Sequence, residues 1–375
     1  METDQKRSTF HLVVITVFIG ILLTFSIFYI TNLLVDPEGS MAATCYDGSV
    51  IETTDPISSF HRAVYQNDSA LAMIHEYQYR LFGVVDSSVV IPGRNDFLFE
   101  IQDDETGYHY LKDYTDGTPF TEEQSAAILS ELQRRRASYN EREAEYLLVI
   151  IPNAQTVYSE CMPAYYGSIH ANTRLESLDR YLVAHEFYHF VNLTEELQGA
   201  KADGPLYNNT ENSLNSLGLY YTYQAVYSRF SRNVLENTKQ LQRENLEFYQ
   251  HVTTGKSTAR KAGLSDVAEN HTVSLSNKTR LNYRFLSDTG RCATTILLPF
   301  YISSETSESP ELLLQFSNTW DRLQIEPFFS NTFSKVTYQT DLEDDPAVFE
   351  EATPKVVIQF IHENELSLLL PTPSQ

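Results

Sequence analysis

Hydrophobic and polar positions change their period several times along this chain. Residues Phe10 to Val35, FHLVVITVFIGILLTFSIFYITNLLV, form an apolar run without one charged residue. At about 1.5 Å per residue, such a run crosses a hydrocarbon core of about 30 Å with some tilt. Lys6 and Arg7 precede it; Asp36 and Glu38 follow it. Positive charge stays inside, so the pattern predicts one N-terminal transmembrane helix. Residues 1–9 are then a cytoplasmic tail, 10–35 the anchor, 36–82 a stalk-like segment and 83–370 an extracytoplasmic domain. The run is too long for the apolar region of a cleaved leader, and no small-x-small site follows it.

Beyond the anchor, helical and strand-like stretches alternate. A helix is expected around Ile57 to Phe82. Val84 to Ile101 has alternating apolar residues around a central Pro-Gly, which predicts a hairpin. Thr121 to about Glu145 reads as a helix, with Thr121 as cap and Gln124 three residues on. Tyr146 to Ile151 (YLLVII) is a buried-type strand ended by Pro152, and Thr173 to Leu182 a helix. A polar turn with Asn208, Asn209, Thr210 and Asn212 precedes an aromatic-rich amphipathic helix from about Ser213 to Phe230. Asn237 to about Leu264 reads as a further helix and 265–290 as a polar loop. Leu312 to Phe316 (LLLQF) is another buried strand, followed by a helix through Leu323, Ile325, Phe328 and Phe329. Lys355 to Phe360 closes the series as a strand. Such alternation predicts an α/β fold with a mainly parallel sheet.

Composition narrows the functional classes. The chain has 375 residues and a net charge of −23. That charge argues against nucleic acid, whose phosphates need Lys and Arg, and against a polybasic membrane-surface role. The three cysteines, Cys45, Cys161 and Cys292, permit at most one internal bridge and show no metal-ligand spacing.

Two stretches carry candidate chemistry. His185-Glu186-Phe187-Tyr188-His189 is an H-E-x-x-H string. On a helix it places two imidazoles on one face with Glu as general base, the arrangement of zinc peptidases. The β-rich run Phe190 to Leu193 follows, so the helix is expected to stop near His185 and the string to be structural. The other stretch is the strand-to-helix turn at Ser317-Asn318-Thr319-Trp320. A nucleophile there stands exposed, with helix N–H groups available to an oxyanion.

A resemblance joins these pieces. Leu206 to Tyr223, LYNNTENSLNSLGLYYTY, resembles the hallmark stretch of the SGNH-hydrolase-like cell-surface family that includes the alginate O-acetyltransferases and the proteins named for an Asp-His-His-Trp motif. The frame residues Tyr207, Thr210, Gly218, Tyr220 and Tyr223 are kept. Glu211, Asn212, Ser213 and Leu214 stand where the family has Asp, His or Thr, His and Trp. Further segments follow in the family's order: Gly93 to Phe99, Pro152 to Glu160, Arg174 to Leu178, the turn at Asn318-Thr319-Trp320, Pro327 to Leu342, and the last strand with Glu363. Asp96 replaces a family Gly, in a turn that Asp tolerates, and Ala154 stands where a Lys is usual.

The resemblance implies an SGNH-hydrolase-like three-layer α/β sandwich, with a central mainly parallel sheet, behind one transmembrane helix. Active relatives would move acetyl groups onto envelope polysaccharides beside a membrane-bound acyltransferase. Here the triad positions are degenerate: Glu211 for the carboxylate, Ser213 for the base, Asn318 and Thr319 for the Asp-Ser pair. A hydroxyl does not take a proton near neutral pH, and a secondary hydroxyl without imidazole is a poor nucleophile. The expected role is therefore a catalytically inactive component that binds a glycan or a partner. Two alternatives stand beside it. One is residual acetyl transfer or esterase activity through Thr319, with a remote histidine (His170, His185 or His362) as base. The other is a zinc peptidase using His185, Glu186 and His189. The leading reading implies no cofactor and no metal.

Overall fold

In a computed structural model of the chain, residues 42–44, 50–52, 76–83, 85, 87–264, 268–276, 284–286, 300–302, 309–317, 322–339, 342 and 346–371 are described. The chain divides into two compact units, Met1–Tyr77 and Gln78–Gln375. In the first, β1 (Ala42–Thr44) pairs antiparallel with β2 (Val50–Glu52). The apolar run from Phe10 to Val35 lies outside the described residues. Among those described, no helix is long and apolar enough to cross a membrane.

The second unit begins with an antiparallel hairpin of β3 (Val90–Pro92) and β4 (Leu98–Glu100). Its turn places Asn95 and Asp96 at φ 54 and 61. Asp and Asn visit this left-handed region more readily than most residues, so Asp96 serves where the family has Gly. Two helices follow, α1 (Tyr110–Asp116) and α2 (Glu122–Glu141). The capping box on α2 is the expected one, Thr121 with Gln124. Then come β5 (Glu145–Ile151), the short α3 (Ala154–Val157), α4 (Arg174–Ala184) capped by Thr173, β6 (Phe190–Asn192) and α5 (Thr194–Ala200). Next are α6 (Ser216–Tyr227), which starts later than the sequence suggests, and the short α7 (Arg232–Glu236). The cap of α6 is Asn215, whose side chain accepts from Leu217 and Gly218 N–H groups, not one of the turn residues before it.

The stretch read as a helix from Asn237 to Leu264 is a correction. It holds β7 (Phe248–Thr254) and a short α8 (Ser257–Lys261). The polar loop expected at 265–290 contains β8 (Glu269–Leu275), which pairs antiparallel with β7 over its whole length. Each strand is too polar to be recognised alone; cross-strand bonds from a distant partner decide the conformation.

Last come β9 (Arg284–Leu286), β10 (Phe300–Ile302), β11 (Glu311–Phe316), α9 (Arg322–Phe329), β12 (Lys335–Gln339), α10 (Pro346–Ala352) and β13 (Val356–His362). Among the described residues the main sheet runs β6-β5-β13-β11-β12-β10-β9. The pairs from β6 to β12 are parallel, and β10 and β9 add antiparallel edges. The strands β5, β11 and β13 are buried on both faces. Leu147, Val149 and Ile151 of β5 join the core shared with α6 and α9; Tyr146, Leu148 and Ile150 join the core shared with α2 and α4. This is the α/β fold with a mainly parallel sheet that the pattern predicts, in the three-layer arrangement that the resemblance implies.

Topology also locates the functional edge. From β5 the chain moves outward to β6, and from β11 outward to β12, while β13 returns between β5 and β11. In open parallel sheets, ligands bind beyond the carboxyl ends of the strands where the winding reverses. Here that edge is made by Pro152 to Thr156, His362 to Glu365 and Ser317 after β11.

Candidate functional site at the carboxyl edge of the sheet

The hallmark stretch folds into a hub over this edge. Tyr207 and Leu214 form an isolated β-bridge that closes the loop between them. Tyr207 is buried, and its hydroxyl donates to the Pro152 carbonyl at the end of β5. Asn209 donates to the backbone carbonyls of Asp96 (2.8 Å) and Glu269 (3.0 Å), and accepts from His271 N–H (2.6 Å). The buried Thr210 hydroxyl donates to Asn270 Oδ1 (2.9 Å) and accepts from Lys256 N–H (3.0 Å). The loop thus ties together the two hairpins, β3–β4 and β7–β8.

Gly218 explains another frame position. A Cβ there would lie 2.3 Å from the Leu206 carbonyl oxygen, so α6 packs on the loop through backbone. Tyr220 and Tyr223 are fully buried against Phe328 and Phe329 of α9. Every frame residue therefore has a packing or hydrogen-bonding reason to be there.

The motif positions behave differently. Glu211, Asn212 and Ser213 are only partly buried. Ser213 Oγ donates to Glu211 Oε2 (2.8 Å) and accepts from Asn208 Nδ2 (2.9 Å). Glu211 Oε1 accepts from Ser257 Oγ (3.2 Å). Asn212 turns toward β5: its Oδ1 accepts from Ala154 N–H (2.7 Å) and its amide donates to Asn153 Oδ1 (3.0 Å). The structure brings Glu211 and Ser213 together, as the resemblance requires of a carboxylate and its base. The group in the base position is a hydroxyl held by a carboxylate and an amide. It presents hydrogen bonds but has no affinity for a proton. Asn318 and Thr319 lie outside the described residues; Ser317, just before them, donates from its hydroxyl to Glu365 Oε2.

The three histidines considered as rescuers are placed as follows. His362 ends β13 beside this edge, and its imidazole accepts the Glu365 backbone N–H in a capping box. The ring nitrogen with a lone pair is thereby occupied in the neutral ring. His170 Nδ1 accepts from Asn172 N–H (3.1 Å). His185 caps α4, its Nδ1 lying 2.8 Å from the Tyr181 carbonyl and its ring stacked on Tyr181.

The same region settles the geometry of the H-E-x-x-H string. α4 ends at Ala184, and Glu186 turns back at φ 57. His189 follows the turn and enters β6 by accepting Leu148 N–H at its backbone carbonyl (3.0 Å). Burial and nearby Arg136 hold its imidazole below the usual histidine range. His185 and His189 do not share a helix, so the spacing that makes the string a metal site is not realised. Among the described residues no group of three His, Cys, Asp or Glu is arranged to hold a metal ion. Cys161 is a buried free thiol; Cys45 and Cys292 lie outside the described residues.

Two buried carboxylates beneath the loop are not among the candidate site residues of the sequence. Glu363 is fully buried, and its Oε2 accepts from Asn153 N–H and Thr156 Oγ1, both at 2.7 Å. Burial pushes its carboxyl up to about 7, against the pull of those two donors. Asp113, on α1, accepts from Tyr108 OH (2.6 Å), Thr118 N–H (2.6 Å) and Arg174 N–H (3.1 Å). Nothing in the sequence around Asp113 distinguishes it from a surface carboxylate. Glu363 was visible only as a match to the family's last segment.

No family model matches the sequence, and no curated protein is significantly similar to it. Solved structures do match. PatB1 from Bacillus cereus, solved with a sulfonyl adduct, is 10% identical with a TM-score of 0.53. That match covers 76% of this chain and 96% of the other. PatB1 without the adduct is 11% identical at 0.51, covering 76% and 98%. The O-acetyltransferase domain of Pseudomonas putida AlgJ is 15% identical, with a TM-score of 0.45 and coverage of 76% and 95%. The chain has the fold of PatB1, in agreement with the SGNH-like architecture that its motifs resemble.

Proposed function

We propose that this protein is a non-catalytic SGNH-like component, anchored in the cell membrane by residues 10–35, that holds a glycan or a protein partner during modification of envelope polysaccharide. The observation that carries the reading is the Asn208-Ser213-Glu211 chain of hydrogen bonds. A triad needs an imidazole at the second position to take the nucleophile's proton. A hydroxyl committed to a carboxylate cannot do this, whatever stands at residue 319. The loop instead offers amide, hydroxyl and carboxylate groups in one partly exposed patch, which suits a ligand rich in hydroxyl groups. The likeness to PatB1 supports the fold beneath this reading, and the kept frame explains why the loop survives without its chemistry.

The test uses the purified full chain in detergent, with a chromogenic acetate ester and, separately, acetylated and deacetylated envelope glycans. No ester turnover, with saturable glycan binding weakened by Glu211→Ala, is the expected result. Turnover abolished by Thr319→Ala would replace this reading with residual acetyl transfer through Thr319.

A further inference from the structure

A small cavity lies between α1, the turn after β5 and the end of β13. Its volume is about 10 Å³, and Tyr108, Asp113, Asn153, Gln155, Thr156 and Glu363 are among the residues that line it. That is room for one water molecule. Gln155 is buried; its amide donates to the Glu100 carbonyl at 3.0 Å, while its Oε1 has no hydrogen-bond partner. A buried carbonyl left so gives up its hydration with nothing in return.

Four of the lining hydroxyls donate to other acceptors, Tyr110 among them, to Asp103 Oδ2 (3.4 Å). Tyr108 donates to Asp113 (2.6 Å) and Thr156 to Glu363 (2.7 Å). Tyr114, also at the cavity, donates to the Gly167 carbonyl (3.2 Å). None of these reaches Gln155 Oε1. On the acceptor side, both bonds to Glu363 land on Oε2, so its other oxygen takes neither. Gln155, with its unpartnered Oε1, and Glu363, with one oxygen that takes neither bond, thus both line a space of one water's size.

We propose that this cavity is a binding site for a single buried water molecule, which donates to Gln155 Oε1 and hydrogen-bonds the second oxygen of Glu363. The water completes the base on which the candidate loop rests. Glu363 holds Asn153 through its backbone N–H, and Asn153 Oδ1 holds the Asn212 amide. One continuous chain of hydrogen bonds thus runs from the buried water to the loop carrying Glu211 and Ser213. The site does not depend on what the loop binds, and its test is separate from any binding assay.

A crystal structure of the full chain, at a resolution that shows ordered solvent, is the direct test. The expected result is one peak about 2.8 Å from Gln155 Oε1 and at a similar distance from Glu363. An empty cavity would overturn the proposal, and so would a peak with contacts near about 2.3 Å, the signature of a bound cation. In solution, water-oxygen relaxation dispersion counts long-lived internal waters. Gln155→Met, which conserves volume and removes the acceptor, should lower that count by one; an unchanged count contradicts the site. The crystal structure needs no substitution, so the proposal remains testable if the variant does not fold.

Discussion

Glu211 and Glu363 lie on adjacent segments at the carboxyl edge of the same sheet. Glu211 sits on a partly exposed loop and is held by two serine hydroxyls. Glu363 sits at the end of β13, fully buried, and is held by a backbone N–H and a threonine hydroxyl. Burial gives Glu363 the shifted titration usual for functional carboxyls, yet it faces inward. In the proposed function, Glu211 on the loop above stands at the family's carboxylate position with no imidazole to orient. Perturbed titration thus marks the support of the loop, and the partly exposed groups above it are the ones proposed to meet a ligand. A strongly shifted pKa is by itself a poor guide to which residue meets a ligand.

The largest expected effect comes from the frame that carries the loop. Gly218→Ala drives a Cβ to 2.3 Å from a backbone oxygen. It should cost at least about 3 kcal/mol, read as a lowered denaturation midpoint. If the cost is small, α6 and the loop are not locked as described.

Next is the pH dependence of Glu363, whose carboxyl moves from 4.5 to about 7 on folding. Between these values the native state binds more protons than the unfolded chain. Stability is therefore greatest below about pH 4.5 for this group and falls as pH rises to about 7. The loss is on the order of 3 kcal/mol. Glu363→Gln should flatten that part of the stability profile in denaturant titrations from pH 4.5 to 8. An unchanged slope would show that Glu363 ionises as freely as a surface carboxylate.

Tyr207→Phe removes the hydroxyl bond to the Pro152 carbonyl that joins loop and strand. A cost of about 1 kcal/mol or somewhat more is expected, because the carbonyl is left in a buried setting. Ser213→Ala should change stability by no more than about 0.5 kcal/mol, since the site is partly exposed. Its effect belongs in ligand binding. If Ser213→Ala destabilises more than Tyr207→Phe, the division between frame and recognition groups is wrong.

Much of the fold was legible in the sequence, because strong local signals coincide with tertiary ones. The apolar run Tyr146 to Ile151 and the cap at Thr121 appear where the pattern puts them. The frame residues around Gly218 point to the right loop because each is fixed by packing. The β7–β8 hairpin was not legible: its strands carry Gln250, His251, Thr253 and His271 at exposed or half-buried positions and a buried polar Asn270, and their pairing depends on residues 269–275. The cap of α6 was misplaced because several Asn residues compete for it, and only Asn215 has its side chain over the first N–H groups. Glu211 and Ser213 were identified by register, and the structure brings them into contact. The pairing of Glu363 with Asn153 and Thr156, and of Thr210 with Asn270, joins residues far apart in the chain. No local pattern encodes such pairs.

The central claim is that the hub keeps a hydrolase frame without its chemistry. Acetyl-ester turnover by the purified full chain tests it most directly, measured beside Thr319→Ala and with metal content read on the same sample. No turnover above that of the Thr319→Ala protein is the predicted result. Turnover that depends on Thr319, or on a stoichiometric metal, would contradict it.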